Sequence, residues 1–137
     1  ALEIALHCDF VYTTNATKFG DTHTKFGLRP TWGMSQTLSR AVGQRRAREL
    51  SFTAKTFSGA QARAWGIANE SFETVEALDD ALAGTCARIV ANSTEAVAAI
   101  KDLYRLAEQE EGVRASLERE IGLEYRISDT SERLSKF

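Results

Sequence analysis

The amino-acid sequence predicts an α/β fold whose C-terminal half is helical, and three observations lead to this prediction. Residues 8–15, CDFVYTTN, are rich in β-branched and aromatic side chains, which favour strands. Between residues 31 and 53, apolar side chains recur at the spacing of one helix face. From residue 74 to about residue 127, apolar side chains again recur at helical spacing. We therefore expect short strands first and helices last.

The first half of the chain divides into short elements. In chain order the pattern predicts a helix at 1–7, strands at 8–15 and 17–21, helices at 31–43 and 44–53, and a short helix from Ser58 to Trp65. Ser58 is the expected N-cap of that last helix, because its hydroxyl can accept a backbone hydrogen bond. Gly43 and Gly66 are expected to end helices, since glycine readily adopts the left-handed conformation. A return to strand is expected near Asn69.

The second half of the chain predicts three amphipathic helices. The apolar face of the first comprises Val75, Leu78, Leu82, Cys86 and Ile89, and that of the second comprises Val97, Ile100, Tyr104 and Ala107. Residues 92–93, Asn-Ser, separate these two helices, and a third is expected over about 113–127. We therefore expect two regions, 1–73 and 74–137, of which the second is helical.

Composition and charge argue against several classes of protein. The 137 residues include 17 Lys and Arg against 19 Asp and Glu, so the net charge of -2 gives no general attraction to nucleic acid or to an anionic membrane. No run of about 18 apolar residues is present to span a bilayer. Cys8 and Cys86 lie among apolar neighbours, which predicts buried thiols in the reducing cytoplasm. We expect no nucleic-acid partner, no membrane partner and no metal.

Residues 19–30, FGDTHTKFGLRP, place an acid and an imidazole two positions apart just before a turn. Asp21 and His23 could form part of a catalytic site, because an imidazole can give or take a proton at neutral pH. They could equally form a polar turn, with His23 bonded to nearby backbone and Asp21 as an Asx-type turn residue. The residues alone leave both interpretations open.

Three segments taken together resemble a known family. They read LEIALHCDFVY, KFGDTHTKFGLRPTWGMSQTLSRAVGQRRARELSFT and FSGAQARAWGIANE. They are similar to the central and C-terminal part of the crotonase superfamily, most closely its enoyl-CoA hydratase members, from residue 1 to about 90. The resemblance implies the C-terminal portion of a crotonase-type ββα spiral over 1–73, with part of the active site. It implies a helical C-terminal region over 74–137 that helps enclose CoA and makes oligomer contacts.

The resemblance also implies roles for individual residues. Glu3 falls on the family's glutamate in the helix after a glycine turn that donates to the thioester oxygen, and that turn is expected upstream of this chain. His23 falls on the second glutamate of the hydratases, so the expected catalytic residues are Glu3, His23 and, two positions away, Asp21. Apolar residues that could line an acyl pocket, or simply belong to the core, are Phe26, Leu28 and Trp32.

The reaction implied by the resemblance is addition of water to a 2-enoyl-CoA thioester through an enolate stabilised by an oxyanion hole. Coenzyme A is then part of the substrate, no separate cofactor is implied, and a homotrimer or hexamer is the expected assembly. The alternatives are an isomerase that uses one base, an acyl-CoA hydrolase, or a non-catalytic fragment, because the chain begins inside an apolar pattern. On the helix at 44–53, Arg45, Arg46 and Arg48 either contact CoA phosphates or form a solvated face.

Overall fold

The structure is a computed structural model that describes residues 1–108, 121–124, 126, 128, 130 and 132. It comprises two compact units, one formed by Ala1–Leu82 and the other beginning at Ala83. The helix predicted over 113–127 lies mostly outside the described residues, and it stays a prediction.

Six α-helices and four short strands make up the described chain. The helices are α1 (Leu2–Ala5), α2 (Met34–Val42), α3 (Gln44–Thr53), α4 (Gly59–Ala64), α5 (Val75–Ala91) and α6 (Thr94–Ala107). The strands are β1 (Tyr12–Thr14), β2 (Lys18–Phe19), β3 (Phe57–Ser58) and β4 (Glu70–Phe72), and a 3-10 helix covers Thr24–Phe26. The predicted elements up to residue 107 therefore occur in the predicted order, and the structure adds the 3-10 helix and β3, which were not predicted.

The strands form two small ladders that are shorter than predicted. β1 pairs in parallel with β4, and β2 pairs antiparallel with β3. The strand predicted at 8–15 is confirmed only at Tyr12–Thr14. Its pairing begins late because the N–H of Val11 donates to the side-chain oxygen of Asn69, at 2.9 Å, rather than to a strand carbonyl. In chain order, β1 and β2 lie between α1 and the loop that carries Asp21 and His23.

The hydrophobic core of the first unit lies between α2, α3 and the elements around α4. Leu38 and Leu50 are each only 1% exposed, and α2 packs directly against α3. The rings of Phe19 and Phe57 stack at 5.6 Å between centroids, which ties β2 to β3. The predicted apolar face of α2 is confirmed, because Leu38 is buried with Met34 while Ala41 and Val42 pack against the same cluster.

Helix α4 begins with the cap that the sequence predicts. The Ser58 hydroxyl accepts from the N–H of Gln61, and the Gln61 side chain accepts from the N–H of Ser58, which forms a capping box. Gly66, with a φ of 85°, follows the end of the helix, as expected. This short helix packs against β1 and β4, so its cap helps to fix the strands on both sides.

The prediction that both cysteine side chains are buried is wrong. Cys8 and Cys86 are both exposed and neither is in a disulfide. Cys8 lies in the turn after α1, and Cys86 lies on α5, a helix that has no buried residue. Apolar neighbours in sequence therefore did not lead to burial at these positions.

The helices of the C-terminal region begin and end close to the predicted positions. Ser93 is the N-cap of α6, where its hydroxyl accepts from the N–H of Ala96. Across the described part of the chain, no helix has both the length and the apolar character needed to cross a membrane.

Candidate active site

Glu3, Asp21 and His23 are brought together by the first unit of the fold. Glu3 lies in the first turn of α1, and the other two lie in the loop between β2 and the 3-10 helix. That loop is fastened to α3, because the Thr24 hydroxyl donates to the carbonyl of Ser51 at 2.7 Å. Residues separated by about twenty positions thus meet on one side of the unit.

Asp21 holds His23 in a defined orientation. The Asp21 side chain is buried, and its Oδ1 lies 2.6 Å from Nδ1 of His23 and 3.2 Å from the His23 backbone nitrogen. Burial raises the pKa of Asp21, but hydrogen bonds from Ser51 and His23 outweigh it and the net pKa is lowered. An ionised carboxylate can only accept, so Nδ1 carries the proton toward Asp21. Nε2 is then the ring nitrogen left for other chemistry.

Glu3 lies on the other side of the imidazole. Its Oε2 is 3.7 Å from Nε2 of His23, which is too long for a direct hydrogen bond but close enough for charges to interact. The other oxygen, Oε1, is buried and receives no hydrogen bond from the described residues. A buried carboxylate oxygen without a donor is costly for stability. The unbonded oxygen of Glu3 does not help the chain to fold, so a part in proton transfer is the better explanation for this carboxylate.

The lowered pKa of Asp21 predicts a specific loss of stability in acid. Ionised Asp21 stabilises the folded chain at pH values above its ordinary pKa of 3.8, and this contribution is lost as the pH falls through the lower folded pKa. We expect Asp21→Asn to cost about 2 kcal/mol at neutral pH, as for other hydrogen bonds to charged groups. The difference in the free energy of unfolding between the variant and the native chain should become smaller below pH 4. Urea unfolding followed by circular dichroism at several pH values measures it.

Asp80→Asn is the matched control for this prediction. Asp80 is an exposed aspartate on α5 in the same unit, so its replacement should leave the pH dependence of stability as in the native chain. Parallel acid unfolding curves for Asp21→Asn and the native chain would contradict the assigned role of Asp21.

A cavity of about 510 Å³ adjoins His23 in the same unit. The 3-10 loop, the turn before α2 and helices α2 and α3 supply its walls. Its lining residues are Asp21, His23, Thr24, Leu28, Arg29, Pro30, Ser35, Ser39, Gln44, Ala47, Arg48, Ser51 and Phe52. This volume is typical of small-molecule sites, and His23 connects the cavity to the Asp21 and Glu3 cluster.

Of the three apolar residues predicted for an acyl pocket, one lines this cavity. Leu28 lines the cavity, whereas Phe26 and Trp32 are absent from its walls and are mostly exposed. The carbonyl of Trp32 accepts from Nε2 of His7 at 2.7 Å, which ties the turn after α1 to the segment before α2. Binding of substrate by these three residues stays a prediction.

Sequence reasoning singled out Arg48 only within a basic run, and it did not single out Ser51 or Arg29. The link of Arg48 and Ser51 to the site depends on the packing of α3 against the 3-10 helix, which no local pattern signals. Of the other two arginines in the run, Arg46 lies 4.8 Å above the ring of Trp65 in a cation–π contact. In the described residues, no group of three or more His, Cys, Asp or Glu side chains is arranged to hold a metal ion.

Comparison with known proteins gives a consistent set of similarities. The family model described as enoyl-CoA hydratase/isomerase matches residues 1–135. A probable peroxisomal enoyl-CoA hydratase of Arabidopsis thaliana is 43% identical over 79 residues, which are 58% of this chain and 30% of that protein.

Solved structures show the same likeness in three dimensions. An enoyl-CoA hydratase of Mycobacterium paratuberculosis has a TM-score of 0.73 and 36% identity, covering 78% of this chain and 48% of that one. An enoyl-CoA hydratase of Bacillus anthracis has a TM-score of 0.83 and 26% identity, covering 88% of this chain and 46% of that one. The chain spans about a third to a half of the length of the relatives it matches. The predicted fold class, part of a crotonase-type α/β fold, is confirmed.

Proposed function

We propose, because this chain belongs to the enoyl-CoA hydratase/isomerase family, that it contributes the proton-transfer site of an enzyme that adds water to 2-enoyl-CoA thioesters. The observation that carries this proposal is the position of His23 between two carboxylates, with Asp21 2.6 Å from Nδ1 and Glu3 3.7 Å from Nε2. Hydratases need one group that takes a proton from water and one that gives a proton to the α-carbon. A carboxylate and an imidazole 3.7 Å apart can divide these two tasks.

The proposed reaction uses each group once in a turnover. Glu3 takes a proton from water as the water oxygen bonds to the β-carbon of the thioester. The electrons of the double bond move to the carbonyl oxygen and form an enolate. His23, protonated at Nε2, gives its proton to the α-carbon, and the carbonyl re-forms. The proton that Glu3 took from water then passes to Nε2, which restores the starting protonation of both groups.

Asp21 acts in this scheme as a positioning residue. Only 3% of its surface is exposed, and its Oδ1 already accepts from the backbone N–H and the ring Nδ1–H of His23. Its hydrogen bond to Nδ1 leaves the opposite ring nitrogen, Nε2, on the side of Glu3. The lowered pKa of Asp21 keeps its carboxylate ionised at neutral pH.

The first test is hydration of crotonyl-CoA, followed by loss of enoyl absorbance and identification of the 3-hydroxyacyl product. It is made on this 137-residue chain and on the natural polypeptide that contains it. Activity in both supports the proposal directly. Activity in the natural polypeptide alone assigns the site to that polypeptide as a whole, and the isolated 137 residues are then a non-catalytic piece. No hydration in either contradicts the proposal.

His23→Ala separates the active imidazole from a turn residue. We expect the rate of hydration to fall about 100-fold or more, as is usual when a general acid is removed, with a changed dependence of kcat on pH. Thr22→Ala is the matched control, because Thr22 is an exposed neighbour in the same loop and does not line the cavity. A native rate and pH profile for His23→Ala would return His23 to the polar-turn interpretation.

Double-bond isomerisation is a second candidate, and the burial of Asp21 favours it. Glu3 is then the one carboxylate of the described cluster free to exchange protons with a substrate, and a single base suffices to move a proton between two carbons. Incubation of 3-hexenoyl-CoA with the protein distinguishes the two, because an isomerase yields the 2-enoyl product without taking up water. Hydrolysis to free CoA, the third possibility, is detected in the same assay by thiol release.

Assembly and compartment belong to the same proposal. We propose an acyl-CoA thioester as substrate with no separate cofactor, and a homotrimer or hexamer, on the basis of the family. The two cysteines outside any disulfide suit the reducing cytoplasm. Light scattering of the natural polypeptide measures the assembly.

A further inference from the structure

The cavity beside His23 has a charge that the hydration chemistry does not explain. Arg29 and Arg48 both line it. Among the described residues, neither guanidinium has a carboxylate within ion-pair distance, and Arg48 donates only to the neutral side chain of Gln44, at 3.3 Å. The one carboxylate in the cavity wall, Asp21, is already bonded to His23. The cavity therefore offers two positive charges to a ligand.

The rest of the wall is divided between apolar and polar side chains. Leu28, Ala47 and Phe52 present carbon surface, and Ser35 and Ser39 add hydroxyl groups. A ligand that matches this wall has a short run of methylene groups and an anionic end. A guanidinium binds a carboxylate in a forked geometry with two hydrogen bonds, and this is stronger than a contact between neutral groups.

We propose that this cavity binds the acyl group of a dicarboxylic acyl-CoA, with the distal carboxylate held by Arg29 and Arg48. The inference rests on the proposed function, since His23 at the cavity wall connects the acyl group to the proposed proton transfers. It adds a substrate class to that function, a short 2-enoyl thioester that ends in a carboxylate.

The first experiment measures binding with saturated thioesters, which cannot be hydrated. Isothermal titration of this chain with glutaryl-CoA, butyryl-CoA and free CoA gives three dissociation constants. We expect glutaryl-CoA to bind at least about tenfold more tightly than butyryl-CoA, because only glutaryl-CoA presents a carboxylate to the guanidinium groups. Equal affinity for the two thioesters overturns the proposal.

Variants of the two arginines assign the effect to the cavity. We expect Arg29→Gln and Arg48→Gln each to weaken glutaryl-CoA about tenfold and to leave butyryl-CoA and free CoA unchanged. Arg45→Gln is the matched control, since Arg45 is exposed on the same helix and does not line the cavity. An equal loss for all three ligands would mean that the arginines bind the phosphates of CoA, and it overturns the proposal.

A rate measurement separates this inference from the proposed function. We expect the natural polypeptide to hydrate glutaconyl-CoA with a higher kcat/KM than crotonyl-CoA, and Arg48→Gln to remove the difference. If neither thioester is hydrated while glutaryl-CoA still binds more tightly than butyryl-CoA, the hydratase proposal fails and the carboxylate site stands. If both are hydrated equally well and the native protein binds the two saturated thioesters equally, the carboxylate site fails and the hydratase proposal stands.

Discussion

Replacing Glu3 with glutamine is expected to lower the rate of crotonyl-CoA hydration by at least about 100-fold, the usual effect of removing a general base. Glutamine keeps the shape of the side chain but cannot take a proton from water. The fold should not suffer, because Oε1 of Glu3 is buried and takes no hydrogen bond from the described residues. Neutralising that oxygen removes a cost of burial. The measurement pairs steady-state rates with thermal unfolding of the same samples.

Glu49→Gln is the control for this change. Glu49 is an exposed carboxylate on α3, with a contact of 3.6 Å to Lys55, and it should tolerate glutamine with native rates. If Glu3→Gln turns over like the native protein, Glu3 has no part in the mechanism. If instead it loses both activity and its thermal transition, the role of Glu3 is structural.

Gly59→Ala is expected to disrupt the first unit. A Cβ at this position would lie 1.8 Å from the carbonyl oxygen of Thr14 and 3.0 Å from Cγ2 of Thr13. Backbone cannot give way as a flexible side chain can, so α4 and β1 must separate. We expect a loss of more than about 3 kcal/mol, beyond the usual cost of overpacking, which is a large share of the stability of a small domain. Urea unfolding followed by tryptophan fluorescence and circular dichroism measures this loss.

Gly84→Ala tests whether alanine in place of glycine is harmful in general. Gly84 lies inside α5, where the nearest atom to an added Cβ is the tip of Arg88 at 3.9 Å. Alanine favours a helix interior over glycine by about 0.5–1 kcal/mol, so this variant should be slightly more stable. A Gly59→Ala chain with native stability would mean that β1 and α4 are not held as closely as the structure has them.

The elements that could be predicted from sequence are those whose signals are local. The cap of α4 is an example, because Ser58 and Gln61 are three residues apart and need no distant partner. The limits of β1 depend instead on Asn69, whose side chain takes the N–H of Val11. A run of β-branched residues therefore predicted that a strand exists but not where its pairing begins.

In the candidate site, too, local signals could be predicted from the sequence and contacts with distant residues could not. The family resemblance pointed to Glu3 and His23, and the residues themselves left Asp21 between a turn and a catalytic role. In the structure Asp21 accepts from the backbone N–H of His23, as a turn residue does, and it also accepts from the ring of His23. A part for Asp21 in catalysis stays a prediction. The contribution of Ser51 could not be predicted, because it depends on the approach of α3, about thirty residues later in the chain.

The hydrogen bond between Asp21 and His23 has a consequence for how this sequence can change over generations. Suppose that His23 alone were exchanged for the glutamate that the resemblance places there. A second negative charge would then lie next to the buried, ionised Asp21, and Asp21 would lose the hydrogen bond from the ring while keeping the one from the backbone N–H. Two carboxylates this close together disfavour the ionised form of each other. A lone exchange of Asp21 would in turn leave the imidazole without its anchor. We therefore expect the two positions to be coupled, so that the effect of exchanging both differs from the sum of the two single exchanges.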